Sequence, residues 1–200
     1  MKTIAPNETC VVGNCPTFVD HDNAIDQSGW VTRFNNTAGF GTTSGSRVTE
    51  LVLVSRGGQA REWLSDPAFV ERPAIQAAHL VTLVFPRSED PGAECCFDDL
   101  ARLLTESGKA VSHIEEEDHR LAREALRNLG AASDAAVSSG FIYTYSKLRA
   151  LAADAPPLQV FAFSFEGWNG HAWKAEEAWF RQQEREGRIR IHPARREGLE

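Results

Sequence analysis

The residues best suited to chemistry fall in two short segments. Glu166-Gly167-Trp168-Asn169-Gly170-His171 concentrates a carboxylate, an indole, an amide and an imidazole. Glu166 suits a general base or nucleophile, His171 titrates near neutrality and can pass a proton either way, and Trp168 offers a flat wall for a base or sugar. Ser55-Arg56-Gly57-Gly58, with Arg61 shortly after, has a different character. Its glycines let backbone amides approach a ligand closely, and its guanidinium groups form the planar fork that grips phosphate. Structural roles compete with each reading. A Gly-Gly pair after a strand is commonly a tight turn, Asn169 suits a helix cap, and Trp168 suits a core plug. Neither segment carries the dinucleotide-binding glycine fingerprint or the Walker pattern.

Both segments follow apolar runs that read as strands. Residues 48–54 form a β-branched run, and Ala60, Trp63 and Leu64 then have the spacing of a short helix stopped by Pro67. Residues 78–85 repeat the pattern, closed by Pro86 and followed by a helix with Phe97, Leu100, Leu103 and Leu104 on one face. Residues 109–114 predict a third strand, with a helical stripe over Leu121, Ala122, Ala125, Leu126 and Leu129 behind it. A helix over 133–153 precedes a fourth strand at 158–165, a helix over 172–186 follows, and 188–192 reads as an edge strand. Strands alternating with helices predict an α/β fold: a mostly parallel sheet of four to five strands with helices on both faces. Residues 1–47, dense in Asn, Thr, Ser and Gly, read as a partly ordered N-terminal arm or extended loop, 48–194 as the α/β domain, and 195–200 as a tail. Trp30 and Phe34 in the arm are costly to leave in water and are expected to lie against the body or add an edge strand. In an open parallel sheet ligands sit outside the carboxyl ends of the strands, which is where both chemical segments fall.

Other groupings carry less. Glu116 and His119 stand three apart in an acidic stretch, but a di-metal bundle needs that motif twice, and acidic residues opening a helix are explained by its dipole. Cys10, Cys15 and His21 fall short of the four ligands of a structural zinc site, so no metal is assigned. Cys95-Cys96 reads as buried filler. Tyr143 and Lys147 have the four-residue spacing of the catalytic pair of short-chain dehydrogenases, yet the match stops at two residues and the glycine-rich first turn is missing. Residues 181–196 hold six arginines against two glutamates, a basic end on an acidic molecule.

Composition bounds the function. With 42% hydrophobic and 24% charged residues the chain is globular, and a net charge of -7 rules out long-range attraction of the whole molecule to nucleic acid or anionic lipid. No apolar run approaches the ~20 residues that span a bilayer, and the amino-terminal residues lack the apolar stretch of a secretion signal, so a cytoplasmic location is expected. The expected activity is binding of a small phosphorylated or nucleotide-like ligand, with Ser55, Arg56, Gly57, Gly58 and Arg61 at its phosphate and Trp168 and Asn169 beside it. Glu166 and His171 would serve transfer or hydrolysis without a cofactor. The alternative is a non-catalytic module that meets a protein or nucleic acid through the arm and the arginine-rich end.

Overall fold

Short apolar runs build the sheet. Strands β1 (Thr9–Val12), β2 (Trp30–Phe34), β3 (Glu50–Leu53), β4 (Leu80–Leu83), β5 (Ala110–His113), β6 (Leu158–Phe161) and β7 (Ile189–His192) pair in parallel throughout, in the order β5-β4-β3-β2-β1-β6-β7. The computed structural model describes residues 8–20, 23–88, 90, 92 and 94–192. The helices are α1 (Ala24–Gln27), α2 (Gly57–Ser65), α3 (Pro73–Ala77), α4 (Phe97–Glu106), α5 (Glu116–Asn128), α6 (Ser139–Ala150) and α7 (Trp173–Arg185).

Alternation along each strand divides the core between two faces. Val11, Val52 and Val160 point to one side, against α5, α6 and α7 through Leu126, Phe141 and Phe180. Leu51, Leu53, Val81 and Leu83 point to the other, against α2, α3 and α4 through Trp63, Ile75 and Leu100, and Cys10, Val12 and Val31 meet Ile25 of α1 on that same side. The chain steps outward from β1 to β5, then returns to place β6 on the far side of β1. Because parallel crossovers keep one hand, reversing the direction of travel moves the later helices to the opposite face.

The sheet has seven strands where the sequence reading has four to five. All five runs read as strands are strands, and the two additional ones, β1 and β2, come from the stretch read as an arm. Trp30–Phe34 is an inner strand between β1 and β3, not an edge. The β2–β3 connection explains why the pattern misleads. Residues 35–49 contain no helix and little apolar content, and a buried arginine holds them instead. Arg33, 1% exposed, donates to the Arg47 carbonyl at 2.9 Å, the Ser44 hydroxyl at 2.8 Å and the carbonyls of Ser44 and Gly45. Asp26 accepts from the amides of Ser46 and Arg47 on the same loop.

A second polar cluster locks α6 to the sheet. The buried Glu50 carboxylate accepts from Tyr143 Oη at 2.6 Å, Thr82 Oγ1 at 2.6 Å and Trp30 Nε1 at 3.1 Å. Burial and the Glu50 charge push the Tyr143 phenol well above its ordinary pKa, and Lys147 lies over the Trp30 ring. These positions make Tyr143 and Lys147 anchors of α6. Among the described residues no helix is long and apolar enough to cross a membrane.

Candidate functional site

Strand order reverses at β1, and outside the carboxyl ends of β1 and β6 lies a cleft of about 200 Å³. Gly13 and Asn14 extend β1 into it, Asn35 follows β2, the loop after β6 brings Phe163 and Glu166, and the N-terminus of α6 closes it. The loops meet tightly enough to dictate residue type. A Cβ at Gly13 would stand 2.4 Å from the Ala162 carbonyl oxygen, and one at Gly140 would stand 3.0 Å from the Phe163 ring. Three non-glycine residues lining the cleft, Asn35, Ala162 and Phe165, hold φ at 49°, 56° and 52°. Ala162 and Phe165 have no short polar side chain to ease the left-handed conformation, and strain of this kind gathers at functional sites.

The open end of α6 is built with care for its amides. Ser138 caps the helix, its Oγ accepting from Phe141 N at 3.1 Å while donating to Glu176 Oε2 at 2.6 Å; the Ser138 amide donates to Glu176 Oε1 at 2.9 Å. Glu176, on α7, is 1% exposed, and burial raises its carboxyl pKa against the opposing pull of the two Ser138 hydrogen bonds. The amides of Ser139 and Gly140 belong to the first turn, where a helix offers no internal acceptor, and both residues line the cleft. That is the arrangement by which helix N-termini bind anions.

His171 stands at the cleft wall. Its Nδ1 lies 3.2 Å from the Ala136 carbonyl oxygen. A carbonyl accepts only, so Nδ1 carries the proton and Nε2 presents a lone pair. Burial lowers the imidazole pKa from 6.5, with the Ala136 bond opposing, and keeps the ring neutral at physiological pH. Trp168 and Trp173 meet the ring edge-on at 5.0 and 4.8 Å. Glu166 lines the same cleft from an exposed position. Trp168 is 66% exposed, so it plugs no core. Its backbone carbonyl accepts from His171 N and Trp173 Nε1, and its ring lies over Gly170, where a Cβ would be only 2.3 Å away. Asn169 is exposed and does not cap α7, whose cap position is Ala172.

The Arg56 loop sits on the same carboxyl edge but faces other openings. Arg56 lines two neighbouring cavities of about 340 and 600 Å³, neither of them lined by Glu166 or His171. Residues 131–137 wall the first of these, and Ala136 is tied by its amide to Gly170 and by its carbonyl to His171, so this segment stands between the two loops. The rest of the glycine loop is occupied. Ser55 Oγ donates to the Phe85 carbonyl at 2.6 Å, the Gly57 amide donates to the Glu94 carbonyl, and Arg61 pairs with Glu94 at 3.1 Å on the surface. Gly57 holds φ at 78°, the value a tight turn into α2 demands.

Among the described residues no cluster of three His, Cys, Asp or Glu side chains could hold a metal. Cys10 packs in the core, its thiol pushed up to about 12 by burial, and His21 lies outside the described residues. In the arginine-rich stretch, Arg181 pairs with Glu177 and Glu184 and Arg188 donates to the Leu148 carbonyl; residues 193–200 lie outside the described residues.

An all-parallel sheet with helices on both faces, reversing its strand order at a cleft that a helix N-terminus enters, defines a doubly wound α/β protein. No protein-family description, curated protein or solved structure matches this chain. Sequence reasoning overlooked Gly13, Asn14, Asn35, Ser138, Ser139 and Gly140. Their signals were Gly-Asn directly after three apolar residues and Ser-Ser-Gly before Phe141-Ile142, a helix-start pattern.

Proposed function

We propose that the switch-point cleft binds a small phosphorylated or nucleotide-like molecule and that the protein is a transferase or hydrolase acting on it. The observation that carries this reading is the convergence, in one cleft, of the open amides of α6 with a neutral His171 whose Nε2 lone pair has no partner among the described residues. The helix end takes the phosphate, Trp173 and Phe163 flank the organic part, and His171 Nε2 removes the proton from an attacking hydroxyl or water. Glu166, at the exposed mouth, orients that nucleophile or receives its proton in turn.

Thermal shift against nucleotides and sugar phosphates tests binding: a ligand that binds the native state raises the midpoint by mass action. Ser139→Glu adds a carboxylate beside the amides, a change helix α6 itself tolerates, and is expected to abolish the rise. A flat panel, or an unchanged rise in Ser139→Glu, removes the reading. For turnover of a responding ligand, the rate is expected to fall on acidification with a midpoint below 6.5, the direction in which burial moves His171, and to be lost in His171→Gln.

A further inference from the structure

The larger opening beside Arg56, about 600 Å³, lies between the β3 turn, residues 86–88 and the first turns of α5. Its charge is unbalanced. Arg87 pairs with Asp98, and Arg120 with Glu117 and Glu124, whereas Arg56, Arg123 and Arg127 have no carboxylate partner among the described residues. Glu116 also lines the opening and pairs with none of them. Arg56 lies over the Phe85 ring, its guanidinium carbon 4.1 Å from the centroid, and burial, reinforced by repulsion from Arg123, lowers its pKa. A part-buried guanidinium repelled by an unpaired neighbour is stabilised by an anion placed between them.

A neutral ring backs the arginines. His119 is 4% exposed and lines the opening, with its ring tilted against Phe85. Its Nε2–H donates to the Val84 carbonyl, which leaves Nδ1 a bare acceptor, and that atom has no hydrogen-bond partner among the described residues. That atom has less than 1 Å² of accessible surface, so no ligand in the opening reaches it, and the ring serves there as a rigid neutral wall.

We propose that this cavity is an oxyanion site, in which Arg56 and Arg123 grip a phosphate or carboxylate group beside the His119 ring. Arg127 stands at the rim and draws the anion in. The ligand class is a small molecule bearing one such group, and the site stands whether or not the switch-point cleft binds anything.

Isothermal titration at constant ionic strength, with inorganic phosphate, glycerol 3-phosphate and glucuronate, tests this. Saturable binding by at least one of the three is expected, and at least tenfold weaker binding in Arg123→Gln, an exposed position where the substitution leaves the fold intact. Preference for glycerol 3-phosphate assigns a phosphate group, and preference for glucuronate a carboxylate. Ser139→Glu is expected to retain the binding, which separates failure here from failure of the switch-point reading. Absence of binding by all three, or equal binding in Arg123→Gln, overturns the site.

Discussion

Two cavities on one sheet edge each contain a neutral, part-buried or buried histidine pinned to a backbone carbonyl, and the pins are on opposite nitrogens. At the switch point Ala136 holds His171 by Nδ1 and frees Nε2; between β3 and β5, Val84 holds His119 by Nε2 and leaves Nδ1 bare. Their surroundings differ as much. The first cleft is made by backbone: open helix amides, left-handed turns and a glycine pressed on a carbonyl. The second is made by long cationic side chains on α5 and the β3 turn. A backbone site is inseparable from the fold that shapes it, whereas a side-chain site can be dismantled with the fold intact. Substitutions in the first should therefore cost stability, and those in the second should not.

The largest effect is expected at Glu176. Glu176→Ala leaves the Ser138 amide and hydroxyl without their acceptors and opens a hole behind α6, costing about 2–4 kcal/mol by chemical denaturation. Arg123→Gln is expected to change stability by less than about 0.5 kcal/mol, as substitutions away from packed features do. A pH series sharpens the contrast. Burial raises the Glu176 pKa above the 4.5 of the unfolded chain, so its favourable contribution is complete below about 4.5 and is lost as pH rises through the raised value. The deficit of Glu176→Gln, which has no proton to lose, should shrink with rising pH. A deficit that grows would mean Glu176 is held as a stabilised anion.

Gly13→Ala comes next. The added methyl would lie 2.4 Å from a backbone oxygen that belongs to a neighbouring strand end, so the β1 and β6 loops must part. Overpacking of this kind costs about 1–3 kcal/mol. The added methyl should also weaken any ligand of the switch-point cleft while leaving anion binding near Arg123 untouched. Equal loss in both would show that the carboxyl edge is one coupled site, and the distinction drawn between the two cavities would fail.

The same contrast explains what the sequence discloses. Runs such as Val81-Thr82-Leu83 and Val160-Phe161 are read correctly because alternation and β-branching survive any tertiary context, and with them the α/β class. β1 is four residues of ordinary composition between polar neighbours, and its central place comes from two parallel partners far away in the chain. The loop after β2 looks unstructured because a single buried arginine holds it, and one residue leaves no periodicity. His171 and Glu166 stand out by chemical type alone. Ser139 and Gly140 contribute backbone amides, which every residue except proline possesses, so their part in the cleft emerges only once the helix end is placed. Arg56 is conspicuous in the sequence, yet the residues it faces, Arg123 and His119, lie on a helix whose acidic start draws attention away from its basic inner turns.

The smallest effect on stability is expected at Trp168, whose ring meets His171 edge-on from outside the lining of the first cavity. The ring is 66% exposed and rests on Gly170, while the bonds that hold its loop come from its backbone carbonyl, to His171 N and Trp173 Nε1. Trp168→Ala removes the ring and keeps those bonds, so stability should move by less than about 0.5 kcal/mol. If a ligand of the cleft extends past His171 onto this ring, affinity should fall about tenfold, close to the ~1.4 kcal/mol that an aromatic stack contributes. Loss of affinity without loss of stability would place Trp168 among the residues that touch ligand. A change in neither would confine the ligand to the cleft lined by Phe163 and Trp173, and a large loss of stability would mean that the ring, and not the carbonyl, organises the loop that carries His171.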